Sequence, residues 1–238
     1  KINLQGEQSA RPFYLRKDSA ADRGVFEQIF KNGDYDVGHF PQSVSLKACY
    51  AALVKSKETA LIIDAGSNIG ASVVYFSLVW DQCKVFAIEP EPRNCELLKL
   101  NCSGLNYSLI EGAIGCRNGI RYLHDPGEGE WGYRVEDHGQ QEVKGFAASD
   151  IVAEQINRGI RPFIFKIDIE GGEEDLFAEK TEWAQHFPLI VLESHDWLFP
   201  GLARSRNFLR TISGMNFDVV FRGENVFCFN NDLLAPYR

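Results

Sequence analysis

From Leu61 onward, short and almost uninterrupted apolar runs alternate with amphipathic stretches. The runs predict strands at Leu61–Asp64, Lys84–Ile88, Tyr107–Glu111, Gln141–Ala147, Phe163–Asp168, Pro188–Glu193, Phe217–Arg222 and Val226–Asn230. Between them the pattern predicts helices at Ser72–Trp80, Pro92–Asn101, Ser149–Arg158, Glu173–Glu179 and Arg204–Ser213. Segments such as Phe163-Ile164-Phe165 and Leu189-Ile190-Val191-Leu192 are apolar throughout, as strands are when helices cover both faces of a parallel sheet. The last two strands flank Gly223-Glu224-Asn225, a tight turn that predicts a closing antiparallel hairpin. The expected fold is therefore α/β, a Rossmann-like and mostly parallel seven-stranded sheet. Residues 1–58 are mixed and more polar, with helix-like pieces at Asp22–Lys31 and Ser43–Lys57. They are expected to form an N-terminal helical appendage to the domain over 59–238.

Composition narrows the partners. The chain has 238 residues, 45% of them hydrophobic, and a net charge of −8. Its basic residues are scattered, so neither nucleic-acid binding nor a polybasic membrane anchor is expected. No apolar run approaches the ~20 residues of a spanning helix. Nor does the start, at Lys1, show the basic–apolar–small pattern of a secretory leader, so the expected compartment is the cytoplasm. The six cysteines form no C-x-x-C pair and read as reduced structural thiols.

The chemistry begins where the first strand ends. Leu61-Ile62-Ile63-Asp64 runs into Gly66-Ser67-Asn68-Ile69-Gly70 and then into a helical stretch, the geometry that holds a nucleotide-like cofactor at the edge of a parallel sheet. A carboxylate at the strand tip would repel a pyrophosphate, which wants N–H donors. It suits S-adenosylmethionine, which carries an ammonium and a sulfonium. Asp64, Gly66, Ser67, Asn68 and Gly70 are accordingly the expected cofactor loop. Glu89 follows at the end of the second strand, near the ~20-residue offset at which an acid meets ribose hydroxyls. After the third strand, either the Glu111 side chain or the Ala113 backbone is expected to meet the adenine.

A second constellation follows at the later strand ends. Alternation puts Lys166, Asp168 and Glu170 on one side of their strand. Burying such a triplet is costly unless it is paired or bound to something. The next strand ends Glu193-Ser194-His195-Asp196-Trp197. His195, with an ordinary pKa of ~6.5, is the first candidate for the base that takes a hydroxyl proton, and Asp168 the second. Asp168, Glu193 and His195 form an alternative Mg²⁺ ligand set, although no divalent metal is expected. The segment Arg117–Gln140, rich in glycine, charge and aromatics, reads as a substrate lid. Glu170, Glu193, Trp131 and Trp197 are the expected acceptor contacts.

Several of these pieces are shared with a known group. They are Asp22-Arg23-Gly24-Val25-Phe26, Gly33-Asp34-Tyr35, Asp64-Ala65-Gly66-Ser67-Asn68-Ile69-Gly70, Glu89-Pro90-Glu91-Pro92 and Ala147-Ala148-Ser149-Asp150. The most telling is Lys166-Ile167-Asp168-Ile169-Glu170-Gly171-Gly172-Glu173. In these the chain resembles the FkbM-type methyltransferases over residues 22–230. The resemblance implies S-adenosylmethionine-dependent O-methylation of a hydroxyl on a sugar, glycan or natural product. It would place Asp64, Gly66, Asn68, Gly70 and Glu89 around the cofactor and Asp168 beside the transferred methyl. The alternatives are a non-catalytic S-adenosylmethionine-binding domain and a nicotinamide-dependent oxidoreductase. The latter lacks its G-x-G-x-x-G turn here, since Gly66 and Gly70 stand four apart.

Overall fold

The computed structural model describes residues 11–124, 134–136, 139 and 141–238. The N-terminal region carries α1 (Ala20–Glu27), a π-helical turn, a 3₁₀ turn and α2 (Ser43–Lys55). The expected helix over Asp22–Lys31 is thus two pieces; it ends at Gly33, whose φ of +68° a side chain would resist. Then come β1 (Ala60–Ala65), α3 (Ala71–Val79), β2 (Cys83–Glu89), α4 (Pro92–Asn101) and β3 (Tyr107–Glu111). A second group follows: β4 (Ala113–Gly115), β5 (Gly119–His124), β6 (Arg134–Glu136) and β7 (Gln141–Ala147). The chain continues through α5 (Ala148–Asn157), β8 (Arg161–Ile167), α6 (Glu173–Leu176), β9 (Leu189–Glu193) and α7 (Arg206–Ser213). It finishes with β10 (Phe217–Arg222), β11 (Asn225–Asn230) and α8 (Asn231–Leu234).

Seven strands form the main sheet in the order β10-β11-β9-β8-β1-β2-β3. The five from β9 to β3 are parallel, and β11 runs antiparallel to both β9 and β10. Alternation along β1 decides which core each side chain joins. Ile62 turns to one face with Val73, Phe76, Trp80, Val85 and Phe163, and the N-terminal Tyr35, Val37, Phe40 and Leu46 join them. Leu61 and Ile63 turn to the other, with Phe165, Leu176, Trp183, Phe187 and Phe208. All six cysteines are free and buried. Among the described residues no helix is long and apolar enough to cross a membrane.

Two expectations are corrected here. Gln141–Ala147 is a strand, but it belongs to a separate four-stranded sheet ordered β4-β7-β5-β6. Most of its residues are exposed or half-buried, which a strand covered on both faces cannot be. The helix expected over Glu173–Glu179 stops at Leu176 and gives way to a 3₁₀ segment at Thr181–His186.

The topology fixes where a ligand can sit. The chain winds from β1 outward to β3, then returns to place β8 on the other side of β1. That reversal opens a crevice outside the carboxyl ends of β1 and β8, the place where open α/β sheets bind ligands.

Candidate active site

The turn after β1 is held by β2 on one side and by β8 on the other. Gly66 and Ser67 both donate their N–H groups to the Ile88 carbonyl, at 3.0 and 3.1 Å. Only glycine fits at position 66: φ is +76°, and a Cβ there would lie 1.6 Å from the Asp168 carbonyl oxygen. Ser67 turns inward, its hydroxyl donating to the Asp64 carbonyl at 2.7 Å. At Gly70, where φ is +85°, a Cβ would meet Cys102 Sγ at 2.8 Å, so this glycine lets α3 pack on α4.

Asp64 stands behind the turn, as a support. It is fully buried and does not line the cavity. The sheet register sets Lys166 directly opposite it, and the Nζ–Oδ1 distance is 3.1 Å. Ser72 donates a further hydrogen bond of 2.5 Å to its Oδ2. Burial alone would lower the Lys166 pKa, but Asp64, Tyr35 and Asp168 hold it well above its ordinary value. The ammonium then donates to the Gly66 carbonyl at 2.6 Å, so the buried pair braces the turn.

Glu89 and Asn68 do reach the cavity. Glu89 accepts from the Asn68 backbone N–H at 2.8 Å, from Glu91 N–H at 3.0 Å and from Asn94 Nδ2 at 3.2 Å. Burial raises its pKa to about 7 against those three donors. Asn68 sits at φ +47°, a region asparagine tolerates better than most residues. Its Oδ1 is buried without a hydrogen-bond partner among the described residues, an acceptor that suits a donor such as an ammonium. Gly112, Ala113 and Ile114 line the same space. Glu111 does not; its carboxylate is half-exposed and paired with Lys99 at 2.6 Å. Of the two adenine contacts anticipated, the cavity is lined by the Ala113 one.

Beyond the turn the carboxylates gather around one buried imidazole. His195, 1% exposed, has Nδ1 2.9 Å from Glu173 Oε1. Its Nε2 faces Glu170 Oε2 at 3.5 Å, Asp168 Oδ1 at 3.7 Å and Glu193 Oε1 at 3.8 Å. Burial would lower the His195 pKa, but Glu173, Asp168 and Glu170 raise it to about 10. His195 itself is not on the cavity wall, whereas the carboxyls of Asp168 and Glu170 are, which puts those two nearer to an acceptor hydroxyl. Glu170 is raised to about 7, chiefly by burial and then by Asp168. Glu193 is raised to about 9, by Asp168 and then by burial. Glu170 also sits at φ +51°, a strained backbone of the kind that clusters at functional sites.

The cavity between these groups holds about 400 Å³. Gly66, Asn68, Glu89 and Ala113 line one part; Asp168, Glu170, Phe199 and Arg204 line another. The second sheet adds Arg121 and Arg134, which the sequence reading missed because no local motif brings them to the crevice. Asn94 was missed too, although its place just after Glu91-Pro92 was a usable signal. Phe199 is flanked by guanidiniums, with Arg134 Cζ 5.0 Å and Arg204 Cζ 4.9 Å from its ring centre. Gly171 permits this closeness, because a Cβ there would stand 2.4 Å from the ring. Trp197 is 64% exposed and, with Glu193, is absent from the cavity wall. Trp131 and the centre of the expected lid lie outside the described residues.

A β3-β2-β1-β8-β9-β11-β10 sheet, an acid-tipped glycine turn and a buried acid on the second strand define a class I S-adenosylmethionine-dependent methyltransferase. The chain belongs to the FkbM methyltransferase domain family, whose model matches residues 64–218. That membership removes the nicotinamide-dependent alternative. The chain is 24% identical over 151 residues to the hexuronic acid methyltransferase AglP of Haloferax volcanii; the match spans 62% of this chain and 61% of that protein. Among solved structures it is similar to precorrin-6y C5,15-methyltransferase from Geobacter metallireducens, at 12% identity, TM-score 0.41 and 91% coverage of each chain. It is also similar to a methyltransferase from Geobacter sulfurreducens, at 15% identity and TM-score 0.38, covering 90% of this chain and 91% of that one. The cofactor is S-adenosylmethionine, and the orphaned Asn68 Oδ1, the Gly66 cradle and the buried Glu89 acceptor fit such a molecule.

Proposed function

We propose that the protein methylates a hydroxyl oxygen on a sugar or sugar-bearing natural product. The observation that carries this reading is the continuity of the cavity: one space is lined by Asn68 and Glu89, by Asp168 and Glu170, and by Phe199 with its arginines. S-adenosylmethionine, when bound, supplies a methyl group on a sulfonium. The chain's own residues position the acceptor and remove its proton. Glu89 offers oxygens to ribose hydroxyls and Asn68 an acceptor to the ammonium. An alcohol is a poor nucleophile unless its proton leaves as the new bond forms. Glu170, raised to about 7 and lining the cavity, is matched to that task near neutral pH, with Asp168 beside it. Phe199 provides an apolar face for the CH side of a sugar ring, while Arg121, Arg134 and Arg204 offer donors to its oxygens. AglP, a hexuronic acid methyltransferase, supports a sugar acceptor.

Methyl-labelled S-adenosylmethionine, incubated with uronic-acid glycosides, neutral glycosides and glycosylated natural products, tests this. The expected product carries label as a base-stable methyl ether on the sugar. Label released by mild alkali would instead place the methyl on a carboxylate. Label on nitrogen or carbon, or turnover only with non-carbohydrate acceptors, would overturn the reading.

A further inference from the structure

We propose that the ends of β8 and β9 hold one divalent cation of the Mg²⁺ or Mn²⁺ class, bound by Asp168, Glu193 and Nε2 of His195. One ligand atom from each of the three lies within 4.8 Å of the other two. The histidine is built for ligation rather than for packing. It is 1% exposed, and its Nδ1 is fixed at 2.9 Å by Glu173, which is itself buried and accepts from Gly171 N–H at 3.3 Å. A carboxylate on the far nitrogen is the arrangement that orients metal-binding imidazoles and selects the ligating tautomer.

Among the described residues Nε2 makes no hydrogen bond, and it points into the space between three carboxylates, at 3.5, 3.7 and 3.8 Å. A proton on Nε2 would draw one carboxylate in to ~2.7–2.9 Å, the length of a charge-assisted hydrogen bond. The gaps seen are longer than that. About 2.2 Å from one ion, cis ligands of an octahedral site stand ~3.1 Å apart, so Asp168 at 3.7 Å and Glu193 at 3.8 Å need close on Nε2 by only about 0.6–0.7 Å to share one. The charges agree: the five carboxylates of Asp64, Asp168, Glu170, Glu173 and Glu193 gather around Lys166 and His195, with Arg134 acting on Glu170 from the cavity side. Lys166 sits nearer Asp64, at 3.1 Å, than Asp168, at 3.5 Å, and Oε2 of Glu173 has no hydrogen-bond partner among the described residues. Two carboxylates with one imidazole form a mostly oxygen donor set, which suits a hard or borderline cation and leaves positions for water or for vicinal acceptor oxygens. Resting on the proposed O-methylation, its role is to lower the pKa of the acceptor hydroxyl beside Glu170.

Electron paramagnetic resonance of Mn²⁺ added to the full chain after dialysis against a chelator reads the site without turnover. The expected result is one Mn²⁺ per chain, displaced by excess Mg²⁺, with a ¹⁴N coupling from one imidazole in the pulsed spectrum. Glu193→Gln and His195→Gln should each weaken uptake by about tenfold or more, in protein shown folded by circular dichroism. Mn²⁺ remaining free at millimolar concentration, or bound without the nitrogen coupling, overturns the proposal even if neither variant folds. Calorimetry with S-adenosylhomocysteine in the chelator separates the two readings. Its binding there, with no Mn²⁺ site, would overturn the cation alone; its absence would count against the cofactor cavity itself.

Discussion

Replacing Glu89 by glutamine isolates a single buried charge. In the folded chain the carboxyl is 5% exposed, and its pKa rises from 4.5 to about 7, mainly through burial. At ~1.36 kcal/mol per pH unit, that rise is worth about 3 kcal/mol between the two protonation states. The native state keeps this proton to higher pH than the unfolded chain does. Its contribution is therefore fully present below pH 4.5 and lost as pH climbs through about 7. Glu89→Gln cannot titrate. It also turns an amide toward the Asn68 N–H, a donor–donor conflict that costs ~1–3 kcal/mol at every pH. Comparing the two proteins across pH removes that constant. Urea unfolding followed by tryptophan fluorescence, without cofactor, should show the wild type losing about 3 kcal/mol relative to the variant between pH 4.5 and 8.5. A difference that stays flat would mean that Glu89 ionises as it would in water, and the desolvation argument would fail. The same carboxylate must be ionised to accept ribose hydroxyls, so wild-type affinity for S-adenosylhomocysteine should rise as pH passes 7.

Asp64→Asn should destabilise the protein by about 3–5 kcal/mol, because Lys166 is left buried without its nearest counter-charge. Thermal or urea unfolding checks this; unchanged stability with lost cofactor affinity would restore Asp64 as a direct contact. Gly66→Ala forces a Cβ to 1.6 Å from the Asp168 carbonyl oxygen. Calorimetry should then detect no S-adenosylhomocysteine binding, and wild-type affinity would show that the turn relaxes freely. Arg204→Ala should raise the acceptor KM severalfold while leaving cofactor affinity intact, since Arg204 stacks on Phe199 at the acceptor side. Equal loss of both affinities would deny that division of the cavity.

The main sheet was legible because strands buried on both faces leave apolar runs that little else mimics. Leu189–Glu193 differs by one residue from its expected start, and Phe217–Arg222 not at all. Of the second sheet only β7 was legible, and only as a strand, because β5 and β7 are half-exposed and carry no continuous run that would mark a sheet of their own. Positions along the glycine turn were readable, but the direction each side chain takes was not. Asp64 looked like a ligand contact because its partner, Lys166, lies 102 residues away in sequence and meets it only through strand register. His195 was placed correctly at a strand tip, yet its protonation depends on Glu173, which reads locally as a helix N-terminal acid. Arg121 and Arg134 reach the crevice only through the pairing of β5 with β6 and β7.

Isothermal calorimetry of S-adenosylhomocysteine against the full chain and against Glu89→Ala tests the central claim most directly. The account predicts one site per chain, with affinity reduced at least tenfold in the variant because the ribose hydroxyls lose their acceptor. Undiminished binding in Glu89→Ala, or no binding to the wild type, would contradict it.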